Sequence, residues 1–345
     1  MTTQKKDTPK KDTPEKDIFT IEYSSTSADI NENRIFEADA ELLSILLKDN
    51  TTQKNILWMT DNYQTKGHGY KETSEITIER ITGRNGSLIK PRINKSKAEQ
   101  LHRSRDKAEV FTPSWICNQQ NNLIDTAWFG HSGTFNTETD TKWLVNPSKI
   151  SFPEGKTWKD YVLSTRLEIT CGEAPYLVSR YDTTTGEMLQ IPKRIGLLDR
   201  KLRVVCENAD SPEEWQEWTI KAFQNVYGYE WQGDSLLLAR ENLLLTFLDY
   251  YKYYFKDEEP KRSLVLQIAN IISWNLWQMD GMKFVVPLSC HVEKVVEIDL
   301  FSENVLFNEC EGCKCDKIDK HNGIYCIIMD WEKNKKIKAV SLLKC

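Results

Sequence analysis

No apolar run in this 345-residue chain reaches the roughly 18 residues a membrane helix needs, and its polar N-terminus lacks the apolar segment of a signal peptide. The expectation is a cytoplasmic protein with no membrane partner. No sign of charge dominates: 46 Lys and Arg face 51 Asp and Glu, for a formal net charge of -5. That balance argues neither for nor against a polyanionic partner. A disulfide framework is also missing. Nine cysteines is an odd number, and four of them crowd between Cys310 and Cys326 while the rest scatter. This distribution fits a metal site in a reducing compartment. Apolar material is ample, with 39% hydrophobic and 10% aromatic residues, enough for a sizeable core and two or three compact units.

Residues 1 to about 17 repeat Lys-Lys-Asp-Thr-Pro twice with almost nothing to bury, which predicts a disordered tail. Residues 18–107 read as a small α+β unit, with a hairpin from Glu75 to Ile89 turning at Asn85-Gly86. Between Arg80 and Lys107 stand nine Lys or Arg residues against only Glu99 and Asp106. Such a stretch either contacts phosphates or forms the solvated face of a charged helix over Ser96 to Lys107. A domain boundary falls near residue 108. Thr112 is expected to cap a helix whose first residue is Pro113, with Ile116, Leu123 and Ala127 on one side. Ser211-Pro212-Glu213-Glu214 is a strong helix start, and that helix should end before Val226. Asp234 to Phe255 and Arg262 to Met279 read as long helical segments, apolar on more than one face and therefore buried.

Arg166 to Thr170 reads as a short strand, Cys171-Gly172-Glu173-Ala174-Pro175 as a tight turn, and Tyr176 onward as a helix start. In that order they make a binding site, because a helix N-terminus presents unpaired amides and the turn lets a ligand approach the backbone. A second unit follows: Val226 to Glu230 as a strand ending in a carboxylate, then a helix from Asp234. An acid at the end of a second strand can accept hydrogen bonds from ribose hydroxyls.

Three motifs, in family order over roughly residues 108 to 290, resemble those of the DNA adenine-N6 methyltransferases, the modification subunits of restriction systems. Phe111-Thr112-Pro113 looks like their Phe-Thr-Pro motif. Glu168 to Leu177 is similar to their Asp-Pro-Ala-Cys-Gly-Ser-Gly-x-Phe-Leu loop, with Ala174 where a glycine is usual. Tyr227-Gly228-Tyr229-Glu230 with Leu238 to Leu243 is similar to their second motif. The resemblance implies a Rossmann-like class I methyltransferase core over residues 108–300. It also implies S-adenosylmethionine held by Phe111, Thr112, Pro113, Glu168, Cys171, Gly172, Tyr176 and Glu230, with DNA and other restriction-modification subunits as partners. Arg180 to Cys206 exceeds a minimal connection and reads as an insertion.

The same resemblance predicts Asn or Asp, Pro-Pro and an aromatic at the end of the fourth strand, where acceptors and a stacking ring hold a flipped adenine. The chain has no Pro-Pro dipeptide, and Met282 to Ser289 stands at that place as a strand without the chemistry. Asn146-Pro147-Ser148 precedes the cofactor loop and reads as a turn. Two functions stay open: an enzyme transferring a methyl group to adenine N6, and an inactive methyltransferase-like subunit that binds DNA or serves as a scaffold. No nuclease signature is evident.

In residues 301–345, Cys310, Cys313, His321 and Cys326 form C-x2-C-x7-H-x4-C. Two pairs of N and S ligands suit a structural, tetrahedral zinc, with Gly312 and Gly323 permitting tight knuckles. Cys315, or Cys290 and His291, stand as alternative ligands. The expected fold class is thus α/β: the methyltransferase-like core, the N-terminal α+β unit and a zinc-stapled C-terminal loop.

Overall fold

The computed structural model describes residues 18–23, 27–29, 31–106, 109–299 and 302–344, so the expected tail over residues 1–17 lies outside the described residues. Helices α1 (Glu32–Ala38) and α2 (Ala40–Leu47) meet at Asp39. The Asp39 carboxylate accepts the amides of Glu41 and Leu42 as the α2 cap and pairs with Arg262 at 2.6 Å. Leu42, Leu43, Leu46 and Leu47 of α2 are fully buried.

The hairpin expected over Glu75 to Ile89 does not form. Glu75 makes one isolated bridge to Leu57, and the chain then turns through α3 (Ile78–Ile81) and a 3-10 turn at Gly83–Asn85. Ile76 and Ile81, within the stretch expected as a hairpin, are buried in the core from these short turns instead. Gly86 lies against Asn33, whose side-chain nitrogen would stand 2.2 Å from any Cβ there. Helix α4 (Lys97–Asp106) follows. It is not a wholly solvated face, because Arg103 is 1% exposed.

Helix α5 (Ser114–Phe129) starts one residue later than expected, with Pro113 as its cap residue. Thr112 does not cap it. The Ser114 amide is met from a distant loop by the Asp182 carboxylate at 2.7 Å. Its buried side is polar: Arg200 pairs with Asp125 at 2.5 Å and donates to Asn118 and Asn122. Leu123, on the apolar side read from the sequence, is 70% exposed. A hairpin, β1 (Asn136–Thr139) with β2 (Lys142–Val145), leads to α6 (Trp158–Leu163). A capping box between Thr157 and Asp160 starts α6. Between them, the Ser148 amide donates to Asn146 Oδ1, the side-chain turn expected of Asn-Pro-Ser.

The central sheet has three parallel strands in the order β3 (Arg166–Glu168), β4 (Val226–Glu230), β5 (Leu276–Gln278). The first crossover carries α7 (Leu197–Asn208), which begins within the segment expected as an insertion and ends just beyond it, and α8 (Pro212–Gln224). The second carries α9 (Gly233–Tyr254) and α10 (Arg262–Asn275). Ser211 caps α8, which ends before Val226 as expected. The segment expected as helix to Met279 breaks at Asn275, and its last apolar residues form β5. A fully buried helix and a buried parallel strand are both apolar throughout, so pattern alone does not separate them.

The two sheet faces differ. Leu276 and Val226 join the large helical core, whereas Tyr227, Tyr229 and Trp277 face a second cluster with Met279, Val286, Cys326, Ile328 and Ala339. The C-terminal segment therefore covers one face. It comprises the hairpin β6 (Glu293–Asp299) and β7 (Ser302–Asn308), then α11 (Glu311–Cys315), then the hairpin β8 (Ile327–Asp330) and β9 (Lys335–Lys338). The protein is mixed α/β, with one three-stranded parallel sheet among the described residues. The strands of this sheet lie side by side in chain order, with two helices in each crossover.

Met282 to Ser289 is not a fourth strand. Val285 makes only isolated bridges, to Asp280 and Tyr325, and Phe284 and Leu288 adopt φ of 59° and 61°. Left-handed residues interrupt a ladder.

Candidate cofactor cleft and metal centre

At the C-terminal ends of β3 and β4 the backbone opens into a cleft of about 260 Å³, near the lower limit of roughly 300 Å³ for small-molecule sites. Phe111, Thr112, Glu168, Cys171, Gly172, Tyr176 and Glu230 line it together. Of the residues expected to hold a cofactor, only Pro113 is outside the lining.

The loop is built differently from the strand, turn and helix expected. No helix begins at Tyr176: Ala174 accepts the Leu177 and Val178 amides in a single turn, and α7 starts only at Leu197. The amides a helix N-terminus would have offered are taken by Glu168, whose two carboxylate oxygens accept the Tyr176 and Leu177 amides at 3.3 and 3.1 Å. Glu230 holds the other side. One of its oxygens accepts the Gly172 amide at 2.8 Å, and the other accepts the Trp231 and Gln232 amides. A carboxylate has about four acceptor positions, so Glu230 keeps one for a ligand. Burial pushes both carboxyls up, opposed by those amide hydrogen bonds.

Gly228 of β4 lets the loop sit on the strand: a Cβ there would meet Cys171 Sγ at 3.3 Å. Ala174 adopts φ of 62° without the freedom of the usual glycine, a cost of roughly 1–2 kcal/mol. Its methyl group is fully buried, which offsets part of that cost. Glu173 anchors the loop, accepting the Arg92 amide from the turn before α4 and the Tyr181 hydroxyl, both at 2.6 Å. The Arg92 guanidinium lies 4.8 Å from the centre of the Phe111 ring.

The helix of the second motif has a structural task. Arg240 is fully buried and donates to the carbonyls of Leu46 and Lys48 at the end of α2, of Ser273 in α10, and of Leu276. It joins two helix C-termini, where a cation is favoured.

Under the cleft lies a network invisible to the motifs. Arg103 pairs with Asp234 at 2.7 Å and Glu109 at 2.6 Å and donates to Gln232 and Ser235. Tyr63 donates to Asp234 at 2.9 Å. Glu109, Gln232 and Ser235 also line the cleft, so α4 supports its wall through Arg103. Despite burial, the adjacent Arg103 and Lys95 charges hold the Asp234 carboxyl down at about 2.

The second site lies in the C-terminal segment. Cys290, Cys310, Cys313 and His321 bring their ligand atoms within 4.8 Å of one another, and this group could hold a metal ion. His321 Nδ1 stands 3.7 Å from Cys290 Sγ and 3.6 Å from the sulfurs of Cys310 and Cys313, and Cys290 Sγ lies 3.6 Å from that of Cys313. Zinc bonds of about 2.3 Å to sulfur and about 2.05 Å to nitrogen give tetrahedral edges of roughly 3.8 and 3.6 Å. No disulfide competes, since a sulfur–sulfur bond would require about 2.05 Å.

Three of the four expected ligands converge, and the fourth is replaced. Cys326 is fully buried in the second core, its thiol donating to the Gln278 carbonyl at 3.4 Å. Cys290 takes its place, from the loop before β6. Sequence spacing favoured Cys326 because it is close in number; the signal for Cys290 was its thiol in a Cys-His pair. Cys315 is exposed outside the group, and His291 turns to the Ser289 carbonyl. Both glycines are needed for the approach of the two halves. A Cβ on Gly312 would stand 2.6 Å from His321 Nδ1, and one on Gly323 would stand 2.8 Å from the Cys290 nitrogen. The Asn322 amide donates to Cys310 Sγ at 3.2 Å, supporting a thiolate.

Compared with protein families, with curated proteins and with solved structures, the chain matches none. No helix among the described residues is long and apolar enough to cross a membrane.

Proposed function

We propose that the cleft binds S-adenosylmethionine and that the protein is a methyltransferase-like modification subunit acting on DNA. The observation that carries this reading is the set of side chains lining the cleft. A βα turn of this kind commonly receives phosphate, yet Glu109, Glu168, Glu173 and Glu230 line it and no Lys, Arg or His does. A nucleotide phosphate would find no cation to pair with among these residues. They suit a ligand with ribose hydroxyls, a sulfonium cation and no phosphate. Glu230 keeps an acceptor position for the ribose, and Phe111 and Tyr176 supply aromatic walls. S-adenosylmethionine supplies the methyl group in this reading; the chain's residues bind and orient it.

Of the two forms of the proposal, the non-catalytic one has the better support. The sheet has no fourth strand among the described residues, and Met282 to Ser289 forms turns where base acceptors were expected. Calorimetric titration with S-adenosylmethionine tests the cleft: binding by the parent protein is expected, with at least a tenfold loss in both Glu230→Ala and Glu230→Gln. A parent protein that does not bind refutes it. Methyl transfer to mixed-sequence DNA would restore the enzymatic form.

We further infer that the metal is zinc in a closed shell of three cysteines and one histidine, acting as a structural staple. The match of the observed separations to tetrahedral edges supports it. One zinc per chain by elemental analysis is expected, lost in Cys290→Ser and kept in Cys326→Ser. A metal-free parent protein, or loss of zinc only in Cys326→Ser, refutes it.

A further inference from the structure

A second cleft, of about 640 Å³, opens on the far side of Arg103. The N-terminal unit builds it, and its charge is opposite to that of the cofactor cleft. Lys66, Arg84, Lys90 and Lys95 line it against a single acid, Glu99. Arg103 lies in its floor, already neutralised from below by Asp234 and Glu109. None of the four cations makes a salt bridge among the described residues, and Lys66, Arg84 and Lys90 are exposed.

Lys95 is the unusual member. It is 9% exposed, and its ammonium group is buried without a hydrogen-bond partner. The carboxylates of Asp234 and Glu173 lie within its field but neither bonds it, and a buried ammonium with no hydrogen bond is costly. An anion entering the cleft would supply the partner. Asn62, Asn85 and Ser87 add polar side chains around the same space. The basic stretch of the sequence is thus neither a uniform charged helix nor a tail: Arg84, Lys90 and Lys95 come from the turns before α4 and gather with Lys66 from a separate loop.

We infer that this cleft binds the phosphodiester backbone of nucleic acid. The location comes from the cleft itself, and the choice of a polymeric phosphate rests on the DNA-modification reading above. The two clefts share the Arg103 wall, through Glu109, Gln232 and Ser235 on one side and Arg103 on the other. A backbone held by the cations would lie beside the cofactor cleft without entering its field of carboxyls. Each phosphate neutralised releases counterion, so the binding must weaken steeply with salt.

The test is fluorescence anisotropy of a labelled mixed-sequence 24-mer, duplex and single strand, with the full chain from 50 to 200 mM NaCl. Unlabelled inorganic phosphate serves as competitor. At least one DNA form should bind with a linear log–log salt dependence. The exposed double variant Lys66→Glu/Lys90→Glu should weaken it at least tenfold and flatten the salt slope by about 0.9 for each phosphate no longer neutralised. Lys95→Met should weaken it as well, while Lys142→Glu/Lys149→Glu, away from the cleft, should not. Inorganic phosphate should compete only far above the concentration of DNA phosphate. Absence of binding at 50 mM, a Lys66→Glu/Lys90→Glu variant that binds like the parent, or displacement by inorganic phosphate at equal phosphate concentration overturns the inference. S-adenosylmethionine titration of the same variants separates the two readings: unchanged cofactor binding with abolished DNA binding locates the failure in this cleft alone.

Discussion

The sheet with its helices and the segment from Ser289 to Tyr325 solve the problem of staying folded by opposite means. In the first, α9 is buried along nearly its whole length, and charged groups that enter the core, such as Arg103, Arg200 and Arg240, are met by carboxylates or carbonyls. In the second, only Cys310 and Gly312 are buried between Cys310 and Tyr325, and lysines and acids cover the rest. Apolar burial holds a sheet of three short strands, but a loop with so little to bury needs another constraint. In the proposed reading, zinc held by Cys290, Cys310, Cys313 and His321 supplies it. On the proposed reading, a ligand site belongs to function in one region and to folding in the other.

The largest effect expected is therefore chelation. Removing zinc should abolish hydrogen-exchange protection over 289–325 while the protection of α9 and α10 persists. Structural zinc contributes apparent binding energies of about 10–16 kcal/mol, far more than this segment's packing. Cys313→Ser should mimic chelation. If 289–325 stays protected without metal, the contrast between the two regions collapses.

The core has its own equivalent, of smaller size. Asp234→Asn leaves Arg103 buried with only part of its partnership, and breaking a buried pair costs about 3–5 kcal/mol. Urea unfolding should register the loss over the whole sheet and helical layer. The pH dependence follows from the sign of the shift. Asp234 is held at about 2, below the roughly 3.9 of an unfolded aspartate, so its contribution is complete above about 3.9 and fades as pH falls towards 2. A variant as stable as the parent would show that Glu109 alone satisfies Arg103.

Legibility in the sequence followed the same division. The residues of the cleft were readable because Glu168 to Leu177 and Glu230 are local signals, each a strand end followed by a turn. What surrounds them was not. Strand β5 was hidden in an apolar run continuous with α10, and the expected fourth strand dissolved because Phe284 and Leu288 are left-handed, which no residue type there announces. The polar buried face of α5 depends on Arg200, roughly eighty residues away, so the apolar side that carries Leu123 gave no sign of which face is buried. In the staple, residue types gave three ligands and chain proximity gave the wrong fourth. Cys290 joins only because the β6–β7 hairpin returns the chain to its own base.

A finer test concerns a pair that obeys neither scheme. Glu32 of α1 and Glu241 of α9 are 1% and 2% exposed, and neither carboxylate has a hydrogen-bond partner among the described residues. Burial, then their mutual repulsion, pushes Glu32 well above the usual carboxylate range, and burial does the same for Glu241. Native carboxyls of this kind bind protons that the unfolded chain, with a glutamate near 4.3, has released. Stability should therefore be highest at or below about pH 4.3 as far as this pair is concerned, and decline as pH rises towards their folded values, opposite in sign to Asp234. Glu241→Gln removes the second charge at little change in shape. It should stabilise the protein at pH 8 by about 1 kcal/mol and flatten the slope between pH 5 and 8, with no effect on zinc content. Thermal unfolding across that range reads both. An unchanged slope would mean that the pair shares no proton and that the core, like the staple, has a ligand still to be found for its acids.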